Sequence, residues 1–397
     1  MQLSSLLSKF NEPETLKMAK LGRSLRASGF DITDLSLGEP DFDTPQHIKD
    51  AAKKAIDENY SHYTPVSGYV ELREAICKKL LRDNGLNYLP EQIVVSTGAK
   101  QSIANVVMAL VDKEDEVIIP TPYWVTYSEI VKLAGGKPIL VKTSFENGYK
   151  ITAKELEVNI SERTKLFMFS SPCNPTGAVY SKGELQSLVD VFENFPNIFV
   201  MSDEIYEHIN YEGKHESIAQ FESIKNRIIV INGLSKGYAM TGWRLGYIAA
   251  PIEVAKACDK LQGQFTSATC SITQRAAITA LLSDISPTYE MVKAFKLRRE
   301  AVMSLIAGIP GVICNKPPGA FYIFPDVKAY FGMKAPDGSV IHNADDLCMY
   351  LLNSAHVSTV TGAAFGEPNC IRLSFANSIE NINKGFAKLK KALADLQ

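Results

Sequence analysis

The sequence predicts an α/β protein, with a mainly parallel seven-stranded sheet in a large domain and a smaller α+β domain appended. Three observations predict it. From about residue 46 to residue 285, short apolar runs alternate with longer segments of helical period, as in repeated strand-helix units around a buried sheet. After Pro287 that alternation stops and a charged helical stretch begins. The chain has 397 residues, enough for two domains and a substantial core.

Taken in order, residues 1–45 read as a helix and a short extended segment ending at Gly38-Glu39-Pro40. They are expected to pack with the C-terminal lobe, because chain termini often meet. The seven apolar runs are Ile93 to Val95, Val117 to Ile119, Ile139 to Val141, Leu166 to Phe169, Ile198 to Met201, Ile228 to Ile231 and Tyr247 to Ala250. Joined mostly by helices, they predict a sheet covered on both faces, with chemistry at the loops leaving the C-terminal strand ends. The stretch carrying Lys293, Lys296, Arg298 and Arg299 leads through Pro317-Pro318-Gly319, a turn signal, into Ala320-Phe321-Tyr322-Ile323-Phe324. An amphipathic helix from about Ser378 closes the chain. The expected division is therefore 46–285 for the large domain, and 1–45 with 286–397 for the small one.

Composition excludes several classes. The net charge of -2, from 44 acidic and 42 basic residues, gives no electrostatic grip on nucleic acid or an anionic membrane. Seven scattered cysteines without a C-x-x-C pair suit a reducing compartment. Lys9, Glu12, Glu14, Lys17 and Lys20 interrupt any apolar leader, and no later run approaches ~18 apolar residues, so a cytoplasmic protein is expected. Six histidines lack metal-ligand spacing; His208 and His215 stand seven apart across a turn, and no metal is expected.

Chemistry concentrates at strand ends. Asn232-Gly233-Leu234-Ser235-Lys236 follows an apolar run, and Thr241-Gly242-Trp243-Arg244-Leu245-Gly246 comes soon after. A lysine beside a buried strand must snorkel, pair or react, although taken alone Lys236 reads as an ordinary solvated loop lysine. Arg244, among glycines, has the fork geometry for a phosphate. Ser96-Thr97-Gly98-Ala99-Lys100-Gln101 opens a helix after another strand and offers free N–H groups to an anion, though a plain connection would look the same. Neither a dinucleotide fingerprint nor a P-loop is present. Ser171-Pro172-Cys173-Asn174-Pro175-Thr176-Gly177 and Ser202-Asp203-Glu204-Ile205-Tyr206 follow two further strands, and a carboxylate such as Asp203 at a buried strand end needs a cationic partner.

In this order, with Gly38-Glu39-Pro40-Asp41-Phe42, Tyr63-Thr64-Pro65, Pro122-Tyr123-Trp124 and Arg372-Leu373-Ser374-Phe375, these motifs resemble the aspartate aminotransferase family of fold-type I pyridoxal-phosphate enzymes. The match runs from about Leu35 to Asn377. The resemblance implies that Lys236 carries pyridoxal 5'-phosphate covalently and, once displaced, moves a proton between the substrate's Cα and the cofactor. It implies that Asp203 faces the ring nitrogen and makes the ring an electron sink. Trp124 would stack on the ring, Asn174 and Tyr206 would bond its 3'-oxygen, and Gly98, Ala99, Lys100, Arg244 and Ser235 would hold its phosphate. Tyr63 would reach the phosphate of a neighbouring subunit, implying a homodimer with shared sites. Arg372 would fork onto the substrate's α-carboxylate beside Gly38, with Trp124 and Asn174 also lining the substrate. Read singly, Trp124 is equally a core aromatic, Tyr63 a loop aromatic and Arg372 an edge-strand arginine.

An aspartate-specific site needs a second cation for the distal carboxylate. One branch of the family takes an arginine from the region matching 264–270, which here holds none; the other takes a lysine in the phosphate turn, where Lys100 stands. Thr15 is a weaker candidate for the same carboxylate. Gly233 replaces a phosphate-binding serine of some relatives. The expected reaction is transamination of aspartate and 2-oxoglutarate to oxaloacetate and glutamate. Alternatives are a prephenate or broad acidic and aromatic aminotransferase and, more distantly, a C-S lyase on the same fold, which would need no distal cation. A transcriptional regulator on this fold would need a basic helix-turn-helix domain that ~40 residues before Gly38 are too few to form.

Overall fold

The computed structural model describes Ser4, Leu7, Ser8, Phe10 and residues 12–397; Lys9 of the N-terminal charges lies outside the described residues. The chain begins with α1 (Glu14–Ala27) and β1 (Thr33–Asp34), then α2 (Gln46–Asp57) and α3 (Val70–Lys79). Strands and helices then alternate: β2 (Ile93–Ser96), α4 (Ala99–Leu110), β3 (Glu116–Thr121), α5 (Thr126–Ala134), β4 (Lys137–Lys142), α6 (Ala153–Asn159), β5 (Thr164–Ser170), α7 (Lys182–Glu193) and β6 (Phe199–Asp203). β7 (Ile228–Gly233) and β8 (Gly246–Ala249) follow, then α8 (Ile252–Phe265) and α9 (Ser271–Leu282). The rest comprises α10 (Ser286–Ala307), β9 (Tyr322–Ile323), α11 (Ala344–Ser354), β10 (Val357–Ser358), β11 (Val360–Thr361), β12 (Ile371–Ser374) and α12 (Ile379–Ala394).

Each of the seven apolar runs contributes one strand to a seven-stranded sheet of order β2-β8-β7-β6-β5-β3-β4. All pairings are parallel except those of β8, which runs antiparallel to β2 and β7. The runs are apolar throughout because both faces are covered. Alternate residues of one strand enter opposite cores: Ile228 and Val230 pack with α2, α3, α7 and α9, and Ile229 and Ile231 pack with α4, α5 and α8. Shortening such a fully buried side chain to alanine costs about 2–5 kcal/mol. Pairing of β3 with β5 stops at Ile118, two residues before Pro120, which has no N–H to give. β4, half exposed and carrying Pro138, forms the edge.

Helix starts follow local chemistry. Thr152 and Ser181 cap α6 and α7, each accepting the N–H three residues on while Glu155 and Glu184 reach back. Ser378 caps α12 by accepting from the Asn381 N–H at 3.2 Å.

A separate core gathers α10, α11, α12 and the three-stranded antiparallel sheet β11-β12-β9. Residues of the N-terminal segment join it: Met18, Ile32 and Leu35 are buried there, and β1 pairs in parallel with β10. Tyr206, Ile209 and Tyr211, just beyond β6, are buried in this second core too. The turn after Asp203 is thereby clamped between the two packing units.

Candidate active site

The parallel strands all release their loops at one end of the sheet. β2 leads to Gly98, β3 to Trp124, β5 to Asn174, β6 ends in Asp203, and β7 leads to Lys236. Arg244 precedes its strand instead of following one. It shares the same edge because β8 is antiparallel, with Gly246 in register with both Ser96 and Gly233.

Trp124, Asn174, Asp203, Lys236 and Arg244 line one cleft of about 360 Å³, together with Gly38 and Thr15 of the N-terminal segment and Arg372 of β12. Ala99, Lys100, Ser235 and Tyr206 line it as well. Gly98 lies directly against Arg244: at φ +87° it adopts a backbone that disfavours side chains, and a Cβ there would meet the guanidinium Nη2 at 2.5 Å. The two segments that the sequence offers separately as anion sites thus lie together, the first N–H groups of α4 beside the Arg244 guanidinium. Arg244 takes a left-handed conformation at φ 55° and gives one N–H to the Thr241 carbonyl at 2.8 Å.

Lys236 donates to the Gly38 carbonyl at 2.5 Å. Burial pushes its amine down to about 8, helped by the charges of Arg372 and Arg244 and opposed by Glu39 and Asp203. About a tenth is then free base at pH 7, far more than for an ordinary lysine. Asp203 is buried, and burial pushes its carboxyl up to about 6 against hydrogen bonds that favour the ionised form. Those bonds come from the Tyr127 hydroxyl at 2.6 Å and the Ile205 N–H at 3.2 Å. Both donors are neutral, so a cation beside Asp203 would stabilise the ionised form.

Arg372 lies 2% exposed in the central strand of its small sheet, which excludes the edge-strand reading. It donates to the Asn174 Oδ1 at 3.0 Å and the Ser36 carbonyl at 2.6 Å, stacks 4.5 Å from the Tyr322 ring, and its Nε has no partner. A buried guanidinium held only by neutral oxygens is short of an anion. At the other side, Lys100 Nζ sits 4.9 Å from the Trp124 ring. Burial lowers its pKa and Arg244 adds to this. The side chain still keeps much solvent contact, so the effect on its charge is small.

Two expected site residues do not line the cleft: Gly98, which lies against Arg244, and Tyr63, which is 98% exposed. Among the lining residues that the sequence did not assign to the site are Arg23, Tyr127 and Tyr322. Tyr127 stands one helical turn after Trp124, a spacing that brings the two rings edge to face at 5.6 Å and would have pointed to it. Tyr322 alternates with core residues in its strand and carried no such signal.

Behind Asp203, Glu204, Glu207 and His215 bring ligand-type atoms within 4.8 Å of one another. Their oxygens are already engaged: Glu207 pairs with the buried ammonium of Lys79 and accepts from Asn84 at 2.9 Å. Glu204 accepts from Ser202 at 2.9 Å and Ser217 at 2.6 Å and lies 3.0 Å from His215 Nε2. This is an internally neutralised network that braces the 203–208 turn. Burial pushes His208 down to about 4; in His215 burial acts the same way, but the Glu204 charge outweighs it and holds the ring's pKa up.

A family model described as aminotransferase class I and II matches residues 31–389. An aspartate/prephenate aminotransferase of Cereibacter sphaeroides is 42% identical over 396 residues, 99% of both chains. A bifunctional aspartate aminotransferase and glutamate/aspartate-prephenate aminotransferase of Petunia hybrida is 41% identical, covering 100% of this chain and 83% of its own length. Among solved structures, the aspartate aminotransferase from Rhizobium meliloti superposes with a TM-score of 0.96 at 40% identity over 100% of both chains. That from Thermus thermophilus with maleate gives 0.93 at 35% identity, over 99% of this chain and 100% of the other.

Proposed function

Because the chain belongs to the class I and II aminotransferase family, we propose that it transfers the amino group of aspartate to 2-oxoglutarate through pyridoxal 5'-phosphate held at Lys236. Its aminotransferase activity is the family's. The substrate reading rests on one observation: the buried, anion-short guanidinium of Arg372 and the ammonium of Lys100 line the same cleft as the Lys236 amine. With Arg244 given to the phosphate, the remaining cations of the cleft, Arg372 and Lys100 with Arg23, fit an amino acid with two carboxylates.

The residues present fit the cofactor. Asp203 is a buried carboxylate hydrogen-bonded by neutral donors, with the Lys236 charge acting on it only at longer range, and the Gly98 turn with Arg244 is a cradle for a phosphate. When bound, the cofactor supplies a cationic ring that absorbs the electron pair left on the substrate's Cα. Asp203, oriented by Tyr127, keeps the ring nitrogen protonated. Tyr206 and Asn174 address the 3'-oxygen and Trp124 covers the ring. Ser235, Ala99 and Arg244 hold the phosphate. Arg372 and the Gly38 segment orient the α-carboxylate, and Lys100, with Thr15, addresses the distal one. Lys236 Nζ then carries the proton that leaves Cα, a task suited to an amine titrating near neutrality. In this reading residues 46–285 form the cofactor-binding domain, and residues 1–45 with 286–397 form the smaller one.

Tyr63 and the exposed apolar side chains Ile56, Val70, Phe265 and Leu282 support a homodimer in which Tyr63 completes the partner's phosphate site. Among the described residues no helix is long and apolar enough to cross a membrane. A cytoplasmic setting suits the seven free cysteines. The relatives named for prephenate favour a second reading in which prephenate is an acceptor.

The test is an absorbance titration of the cofactor-loaded protein with aspartate, cysteine sulfinate and leucine. Conversion by the two acidic donors alone is expected; equal conversion by leucine removes Lys100 from its role. Arogenate formation from prephenate decides the second reading.

A further inference from the structure

We propose that Tyr322 is a positioning residue that couples the carboxylate-binding guanidinium of Arg372 to the hydroxyl of Tyr206, so that filling Arg372 changes where Tyr206 donates its proton. The proposal rests on the functional reading above and adds a residue to it.

Tyr322 is fully buried in β9, beside the strand that carries Arg372. Its ring lies under the guanidinium at 4.5 Å, and its hydroxyl is 2.7 Å from that of Tyr206. Tyr206 belongs to the turn after β6, so this bond joins the small antiparallel sheet to the large parallel one. Gly38 closes the knot: a Cβ there would come within 2.8 Å of the Tyr322 hydroxyl, and the Gly38 carbonyl accepts from Lys236. A larger residue at position 38 would break that approach.

Two hydroxyls that share one hydrogen bond hold two protons, and only one lies between them. The positive charge of Arg372 favours the arrangement in which the Tyr322 proton points away from it, toward Tyr206. Tyr206 then keeps its own proton for an acceptor in the cleft, here the cofactor's 3'-oxygen. A carboxylate on Arg372 cancels that field, and Tyr206 becomes freer to donate to Tyr322. With the cofactor bound, its 3'-oxygen would lose a donor, and the Lys236 nitrogen would hold its proton more tightly. Binding of a carboxylate at one lobe thus raises the basicity of the reacting nitrogen through a tyrosine pair.

The experiment compares the native protein, Tyr322→Phe and Tyr211→Phe, each loaded with pyridoxal 5'-phosphate. Tyr211 is a control, since its buried hydroxyl donates to the Ala320 carbonyl away from the cleft. The visible absorbance is titrated with pH, without and with saturating maleate, a dicarboxylate that has no amine to react. Maleate affinity is measured separately by calorimetry. Direct neutralisation of Arg372 acts equally in all three proteins, so the difference between them isolates the hydroxyl. Maleate is expected to raise the apparent pKa in the native protein and in Tyr211→Phe. In Tyr322→Phe that rise is expected to shrink by about half to one pH unit, the worth of one neutral hydrogen bond, with maleate affinity within about fivefold of native. An undiminished rise in Tyr322→Phe overturns the proposal. So does loss of maleate binding in that variant, which would make Tyr322 part of the carboxylate pocket and nothing more. A native protein that develops no visible band with the cofactor overturns the functional reading, and the proposal with it.

Discussion

Replacing Asp203 by asparagine tests whether the cofactor-free site carries an electrostatic cost. The carboxyl titrates at about 6 in the fold against an ordinary 3.8, mainly because burial disfavours its charge. The protonated form is therefore the one the fold prefers. Below the ordinary value there is no cost; between 3.8 and about 6 the cost of ionising grows with pH, and above that it is constant. At ~1.4 kcal/mol per pH unit the penalty reaches about 3 kcal/mol at pH 8 and is about half as large at pH 5. Asparagine has nearly the same shape but a single acceptor oxygen, so it keeps the bond from Tyr127 or the one from the Ile205 N–H and loses the other, a cost of about 1–3 kcal/mol that does not vary with pH. Urea unfolding of the two cofactor-free proteins at one fixed concentration reads the difference. From pH 5 to pH 8 the stability of Asp203→Asn is expected to gain about 1.5 kcal/mol on that of the native protein, while its aminotransferase activity is lost. A stability difference that does not change between pH 5 and pH 8, or one that moves in favour of the native protein as the pH rises, refutes the reasoning.

Three further outcomes are expected. The amine of Lys236 titrates at about 8, so the rate of covalent cofactor capture should rise about tenfold per pH unit below that value and level off above it; a flat stopped-flow profile contradicts the assignment. Lys100→Leu removes a charge pair worth about 1–4 kcal/mol at ~4 Å in a partly screened site. Its kcat/KM should fall about tenfold to a hundredfold for aspartate and less than about threefold for alanine, and a uniform fall would place Lys100 on the phosphate alone. Mixing Lys236→Ala with Tyr63→Ala should restore about a quarter of native activity through heterodimers bearing one intact site, whereas no recovery would show that Tyr63 serves its own chain or none.

Much of the site was legible because its residues sit where strands end. Asp203, Lys236 and Asn174 each follow a run of buried apolar residues, and the period of those runs located them along the chain. Arg244 was recognised from its glycine company; that it meets the Gly98 turn depends on the antiparallel direction of β8, which periodicity does not encode. Arg372 was ambiguous as a strand residue, since alternation alone does not tell a buried face from a solvated one; the neighbouring strands β9 and β11 put it inside. Tyr322 carried no signal because a tyrosine among phenylalanines in a strand is an ordinary core residue until its hydroxyl has a partner.

The sequence by itself determined the local elements, the two-sided burial of the sheet and the kinds of side chain delivered to its edge, because these follow from periodicity and from the cost of burying charge. Tertiary structure alone decided which of those side chains face one another. The distances from Tyr127 to Asp203, from Tyr206 to Tyr322 and from Lys236 to Gly38 join segments 76, 116 and 198 residues apart. Such contacts depend on how strands are ordered and lobes are docked, and those choices are made by the packing of the whole chain.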